Sequence, residues 1–211
     1  MERVASTALA KVLNGQLRDV VRRLRAGQSI EEITASLGGT DQLRQTLQRL
    51  LFNAVDLGVR AAESQLTIGI DWTLANSAAR DWAASYAYDL VHDINATSQR
   101  VLQKYVSERI QTGEPLSTLV NDLEPYFGKR RAELIASTET TRAYAVANME
   151  TFRQNGVEFV RWNTANDELV CPVCRPLNGV VVQIGAAFQN GIQHPPAHPR
   201  CRCWVTPSQG D

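Results

Sequence analysis

Leucine and valine recur at helical intervals from the start of the chain. Leu9, Leu13, Leu17, Val20, Val21 and Leu24 fall on one face of a helix, and Gly27 stands where that helix must stop. Ser29-Ile30-Glu31-Glu32 has the form of a capping box, and Ile30, Ile33 and Leu37 then share a face before Gly38-Gly39. From Asp41, the series Leu43, Leu47, Leu50, Leu51, Ala54 and Val55 predicts a second long helix running to about Gln65. Ile68-Gly69-Ile70-Asp71-Trp72 breaks the period and reads as a connector. A third helix is expected over about 74–112, with Trp82, Tyr86, Leu90, Ile94, Val101, Tyr105 and Ile110 facing inward. Gly113-Glu114-Pro115 stops it, Ser117 caps a short helix to about Tyr126, and Gly128 punctuates. The last long helix, about 129–155, places Leu134, Ile135, Tyr144, Ala145, Ala147 and Met149 on its buried side and ends at Asn155-Gly156.

Beyond Gly156 the period changes from helical to alternating. Val157-Glu158-Phe159-Val160-Arg161-Trp162 reads as a strand, and Gly179-Val180-Val181-Val182 as a second strand able to pair with it. Residues 185–200, rich in Gly, Pro, Gln and His, read as loop. The expected fold class is therefore α+β, mainly α: a helical body followed by a small C-terminal β/loop module.

With 211 residues the chain is long enough for one domain or one domain with an appendage, and its 44% hydrophobic content excludes low-complexity disorder. Basic and acidic residues balance at 22 each, so nothing in the net charge draws the chain to nucleic acid or anionic membrane. No apolar run approaches the ~20 residues of a membrane helix. Met1-Glu2-Arg3-Val4-Ala5-Ser6-Thr7 lacks the apolar core of a secretion signal, so a soluble protein of a reducing cytoplasm is expected.

The cysteines carry the chemistry. All 4 lie between Cys171 and Cys203, a clustering that chance placement gives roughly once in 700. In a reducing compartment, metal explains it better than disulfides. Cys171-Pro-Val-Cys174 is a knuckle whose two thiolates can reach one ion, and His198-Pro-Arg-Cys201-Arg-Cys203 supplies a second half-site. Cys171, Cys174 and Cys201 are expected ligands, with His198 or Cys203 as the fourth; spacing does not choose between them, and His194 is a more distant candidate. A thioredoxin-like dithiol would cap a helix within a βαβ unit, whereas Pro176 and Gly179 follow here without helical pattern. Four or five soft ligands predict a closed structural site holding one zinc per chain.

Glu139 and Arg142 sit inside the last helix, where they can form an i,i+3 pair or cap a neighbouring strand. Glu139, Asp167 and Glu168 are expected to be structural. No phosphate loop, nucleophile elbow or His–carboxylate pairing stands out, so no enzyme activity and no small-molecule substrate are expected. Arg175, Arg200 and Arg202 near the cysteines keep open a zinc-stapled nucleic-acid-binding module as the alternative.

Arg131-Ala-Glu-Leu-Ile-Ala-Ser-Thr-Glu139, then Trp162-Asn-Thr-Ala-Asn-Asp167-Glu168-Leu-Val-Cys171-Pro-Val-Cys174, Leu177-Asn-Gly179 and Pro195-Pro-Ala-His198-Pro-Arg-Cys201-Arg-Cys203 together resemble the phage head morphogenesis domain. This is the domain of the Mu F-like (SPP1 gp7-like) minor head proteins of tailed bacteriophages and prophages. The resemblance is specific over about 115–207 and diffuse before it. It implies a helical N-terminal region at 1–113 and a Mu F-like domain at 114–211, with the Cys/His module at 157–207. It further implies a virion component, made in the bacterial host cytoplasm and housed in the head interior. The implied partners are portal, capsid or scaffold proteins, with a bearing on DNA packaging or delivery. Only eight residues follow Cys203, so none of the effector domains carried by some relatives is expected at that end.

Overall fold

The structure, a computed structural model, describes residues 1–66, 72–112, 116–165, 167 and 170–210, with the backbone alone over 72–76, 109–111 and 116–118. Six helices come first: α1 (Glu2–Arg25), α2 (Ile30–Ala35), α3 (Thr40–Glu63), α4 (Trp72–Thr112), α5 (Leu116–Phe127) and α6 (Lys129–Gln154). Three short strands follow: β1 (Phe159–Asn163), β2 (Val181–Gln183) and β3 (Trp204–Ser208). The chain is thus mainly helical with a small C-terminal sheet, the α+β class that periodicity predicts.

Two compact units are distinguished, Met1–Arg49 with Ser85–Ala136, and Leu50–Ala84 with Ser137–Asp211. In the first, α1 buries Leu9, Leu13, Leu17, Val20 and Val21, as its spacing predicts. Arg22, Arg23 and Arg25 in its last turn oppose the negative end of the helix dipole, and Gly27, at φ +82°, takes the left-handed conformation that turns the chain. The capping box is present: the Glu32 backbone N–H donates to Ser29 Oγ at 3.2 Å, and the Ser29 N–H donates to Glu32 Oε2 at 3.3 Å. Gln16 is buried with its Nε2 donating to Gly38 O at 2.8 Å and Asn95 Oδ1 at 3.2 Å. Arg131 buries its guanidinium against three oxygens, Ser98 Oγ, Tyr126 O and Ile94 O, at 2.8–2.9 Å, and burial pulls its pKa down to about 10.

Two helices depart from their expected faces. In α4, Leu90 and Ile94 are buried, but the rest of the buried row is Ala79, Ala83, Ala87, Val91, Leu102 and Val106. Trp82, Tyr86, Val101 and Tyr105 stand half-buried on its shoulder. Alanines let a neighbour approach closely along the middle of the face, so the large rings are displaced to its edge. In α6, Ala145 and Ala147 are buried, whereas Leu134, Ile135, Tyr144 and Met149 are only partly so. Its deeply buried set is Ala132, Ala136, Ala143 and Phe152 with the polar Thr138, Glu139, Asn148 and Thr151. The connector at 68–71 and the stop at Gly113-Glu114-Pro115 lie outside the described residues, as does the side chain of Ile110 and that of the predicted cap Ser117. Trp72 belongs to α4 rather than to the connector.

The sheet has the order β2-β1-β3, all antiparallel. β1 alternates as predicted, with Val160 and Trp162 fully buried. β2 begins two residues later than the Gly179 start expected. β3 has no counterpart in the sequence reading, yet Trp204 pairs with Asn163 and Ser208 with Phe159 along the whole of β1. Pro207 hides it, because proline argues against a strand anywhere but at an edge, which is where β3 lies.

In the second unit, α3 and α6 meet at Gly58, where a Cβ would stand 2.6 Å from Tyr144 O and 2.8 Å from Ala147 Cβ. Replacing a helical glycine by alanine ordinarily favours the helix by about 1 kcal/mol. Here the contact reverses the sign. Gly58→Ala is expected to destabilise the protein by about 1–3 kcal/mol, measured by denaturant unfolding against the neighbouring exposed substitution Leu57→Ala.

Candidate metal centre

The first knuckle is built by backbone geometry. Cys171 O accepts from the N–H groups of Cys174 at 3.2 Å and Arg175 at 3.0 Å, and Cys174 N–H also reaches Cys171 Sγ at 3.3 Å. A single 3-10 turn, Arg175–Leu177, follows, and Leu177 anchors it in the core at 1% exposure. Gly179, at φ +81°, then turns the chain into β2.

The second knuckle is a tight turn closed by Cys201 N–H donating to His198 O at 3.1 Å. Arg200 holds φ +60° within it, an unusual conformation for a residue with a side chain. Two threonines of α6 hold that turn. Thr138 Oγ1 accepts from Arg200 N–H at 3.2 Å, and the Thr141 hydroxyl stands between two acceptors, Ser137 O at 3.1 Å in its own helix and Cys201 O at 3.3 Å in the turn.

These turns bring all five predicted donors into one cluster. Cys171 Sγ and Cys174 Sγ lie 3.0 and 3.2 Å from His198 Nε2, and Cys174 Sγ lies 3.7 Å from Cys201 Sγ. Two groups of three emerge, Cys171–Cys174–His198 and Cys174–Cys201–Cys203, each with its donor atoms within 4.8 Å of one another. Cys174 belongs to both. The edge of a tetrahedron built from metal–sulfur bonds of about 2.3 Å is about 3.8 Å, so the Cys174–Cys201 separation already fits a soft tetrahedral ion. The cluster could hold a metal. His194 is not in it: its Nδ1 lies 2.7 Å from Pro195 O, and the residue lines a cavity of about 350 Å³ with Trp82, Met149 and Ile184.

The electrostatics of the bare cluster are those of crowded thiols. Hydrogen bonding with the neighbouring Cys203, against the cost of burial, pulls Cys201 down to about 5. The same contact together with burial pushes Cys203 far up. Burial pushes Cys174 up to about 12. At Cys171 burial is overcome by the Cys174 and Val173 N–H groups, and the thiol is lowered. Two sulfurs are thus poised to ionise while their neighbours resist it, because adjacent thiolates repel one another without a cation between them. A divalent ion removes that conflict. His198 Nδ1 lies 2.8 Å from Pro199 O, so Nδ1 carries a proton and Nε2 is the nitrogen turned to the sulfurs, the arrangement that orients a ligating imidazole.

Two acidic residues expected to be structural are ion-paired. Glu139 is buried and accepts from Arg142 Nε at 3.2 Å, the i,i+3 pair its position suggests. Asp167 takes both Arg202 nitrogens, at 2.7 and 2.8 Å, and ties the approach to the first knuckle to the residue between Cys201 and Cys203. Glu168 lies outside the described residues. Periodicity does not mark Thr138 and Thr141 as supports; the run Ser137-Thr138-Glu139-Thr140-Thr141, too polar for a buried helix, is the signal for them.

A family model described as phage Mu protein F-like protein matches residues 100–206, half of the chain and all five donors. The chain belongs to the phage Mu protein F-like family. Among curated proteins and solved structures nothing matches it. Membership in this phage head-related family agrees with the resemblance carried by the helix, knuckle and His-Pro-Arg-Cys motifs. The match covers α5, α6 and the sheet module and takes in the end of α4, ahead of the motifs themselves.

Because Thr138 and Thr141 hold the second knuckle rather than donate to a metal, their loss is expected to loosen the site without abolishing it. The double variant Thr138→Val, Thr141→Val should lower metal affinity on the order of 10-fold, read by competition with a chromogenic chelator.

Proposed function

We propose that this Mu F-like chain is a minor head protein of a tailed bacteriophage or prophage, which docks on portal or procapsid and assists head morphogenesis and DNA packaging or delivery. The observation that carries the reading is the family match, spanning the long helix α6 and both knuckles. In this reading residues 1–113 form a helical region and 114–211 the head-morphogenesis domain, with the metal module at 157–207. The protein is made in the host cytoplasm, resides in the head interior, and serves as a structural component rather than an enzyme.

The metal is zinc, one per chain, in a structural role. Soft thiolates with an imidazole in tetrahedral arrangement suit zinc over harder ions, and a surplus of donors, three of the cysteines buried, suits a structural over a catalytic site. Metal holds a small loop-rich module rigid where its own core cannot. A rigid module of that kind supports docking on a protein surface.

Of the three arginines that favour nucleic acid as a partner, Arg202 is committed to Asp167 and Arg175 leans on Val170 O at 3.4 Å. Only the charge of Arg202 is offset by a carboxylate in this way, so the DNA-binding alternative rests on Arg175 and Arg200.

Elemental analysis of purified protein should find about one zinc per chain, with Cys174→Ser losing it. Chelation should change the environment of Trp162 and melt the sheet module while most helical circular dichroism persists. Protein purified free of metal, with four titratable thiols, overturns the zinc assignment.

Co-expression with the matching portal and scaffold, followed by sedimentation, tests the head assignment. The chain should travel with particles or co-purify with portal. If it stays at the top of the gradient while portal and scaffold assemble, the docking reading fails.

A further inference from the structure

Five donors face four coordination positions, and resting on the zinc reading above, we infer that the ligands are Cys171, Cys174, His198 and Cys201, with Cys203 a core thiol that does not coordinate. Three observations carry the assignment. The first knuckle and His198 already converge, with His198 Nε2 at 3.0 and 3.2 Å from the two knuckle sulfurs and its Nδ1 committed to Pro199 O. An imidazole held by its Nδ1 proton, with Nε2 aimed between two thiolates, is pre-oriented as a ligand.

The second observation is the spacing of His198 and Cys201. They are the first and last residues of one turn, closed by the 3.1 Å bond between Cys201 N–H and His198 O. Cys171 and Cys174 bracket a turn of the same length, closed by the 3.2 Å bond between Cys174 N–H and Cys171 O. Two like turns thus face each other, each offering its two ends, and the 3.7 Å separation of Cys174 and Cys201 is the tetrahedral edge joining them. Cys203 lies past the end of the second turn.

Third, Cys203 follows the inward row of a strand. It directly precedes β3, in which Trp204 is 39% exposed and Val205 fully buried. Side chains two apart on a strand share a face, so Cys203 falls in register with Val205; Cys174 and Cys201 border the same core, and what sets Cys203 apart is its place in line with the strand rather than at the end of a turn. A free cysteine in such a place behaves as a small apolar side chain. Charge argues the same way. Three thiolates and a neutral imidazole around a divalent ion leave a net −1, four thiolates a net −2, and the second is harder to bury in an apolar core.

X-ray absorption at the zinc edge on the full-length, zinc-loaded protein decides it. The expected shell is three sulfurs at about 2.3 Å and one nitrogen at about 2.0–2.1 Å. A shell of four sulfurs overturns the assignment and leaves the zinc reading standing. Absence of zinc overturns both. Independently, Cys203→Ala should keep one zinc per chain, whereas His198→Ala should lose zinc or bind it on the order of 10-fold or more weakly. Loss of zinc from folded Cys203→Ala with retention in His198→Ala overturns the assignment; if Cys203→Ala does not fold, the absorption spectrum of the unmodified chain still decides.

Discussion

Everything downstream of α6 depends on two turns meeting. The strands are only five, three and five residues long, and a sheet of that size has too little hydrogen bonding and too little apolar face to stand alone. Chain order explains how it stands. The first knuckle lies in the connection between β1 and β2, the second in the connection between β2 and β3. Bringing the knuckles together therefore closes both connections at once and sets β1 between its two neighbours. The cluster is also part of the core rather than an ornament on it. Cys174, Cys201 and Cys203 are buried with Val160, Trp162, Leu177, Phe188 and Val205, and Trp162 meets Phe188 edge-to-face at 5.1 Å. Loss of the donors would open the apolar core and the sheet together.

The legible parts of this fold are those in which a local rule and the global packing agree. The stripe Leu9–Val21, the capping box at Ser29 and the series Leu43–Val55 are each amphipathic or capped in the ordinary sense, and each forms as read. Cysteine spacing carried the cluster for the same reason, since two residues between thiols allow only a tight turn. Where packing is made by alanine, periodicity of large apolar residues points to the wrong azimuth. Trp82 and Tyr86 look like core in α4, but Ala79, Ala83 and Ala87 hold the centre of the buried face. β3 is hidden because Pro207 outweighs the strand-forming Trp204-Val205-Thr206 in a sequence reading, while its edge position tolerates the proline.

The same physics explains why α6 defeats an amphipathic reading. It buries Thr138, Glu139, Asn148 and Thr151 beside six alanine and phenylalanine positions, so neither a polar nor an apolar stripe can be drawn along it. Several of those polar groups are committed to particular acceptors and donors: Thr151 to Ala147 O, Glu139 to Arg142, Thr138 to Arg200 N–H. Pairing is the rule for buried polar groups, and each pairing is a positional constraint; Asn148 is an exception, its amide buried without a partner among the described residues. In α6 the constraint falls on the second knuckle, through Arg200 on one side and Cys201 O on the other.

That coupling bears on what the module can be used for. A loop of the length of 184–203, with no more regular structure than one 3-10 turn, would ordinarily sample many conformations. Here its end is held three ways: by the donor cluster, by β3 on β1, and by two threonines of a 26-residue helix. Movement of the helix is therefore transmitted to the knuckle, and displacement of the knuckle strains hydrogen bonds on the helix. Around the second knuckle, the described residues are tied by hydrogen bonds to α6 and by the pairing of β3 on β1. A surface held in that way loses less side-chain and loop entropy when a partner covers it than a mobile loop of the same length would.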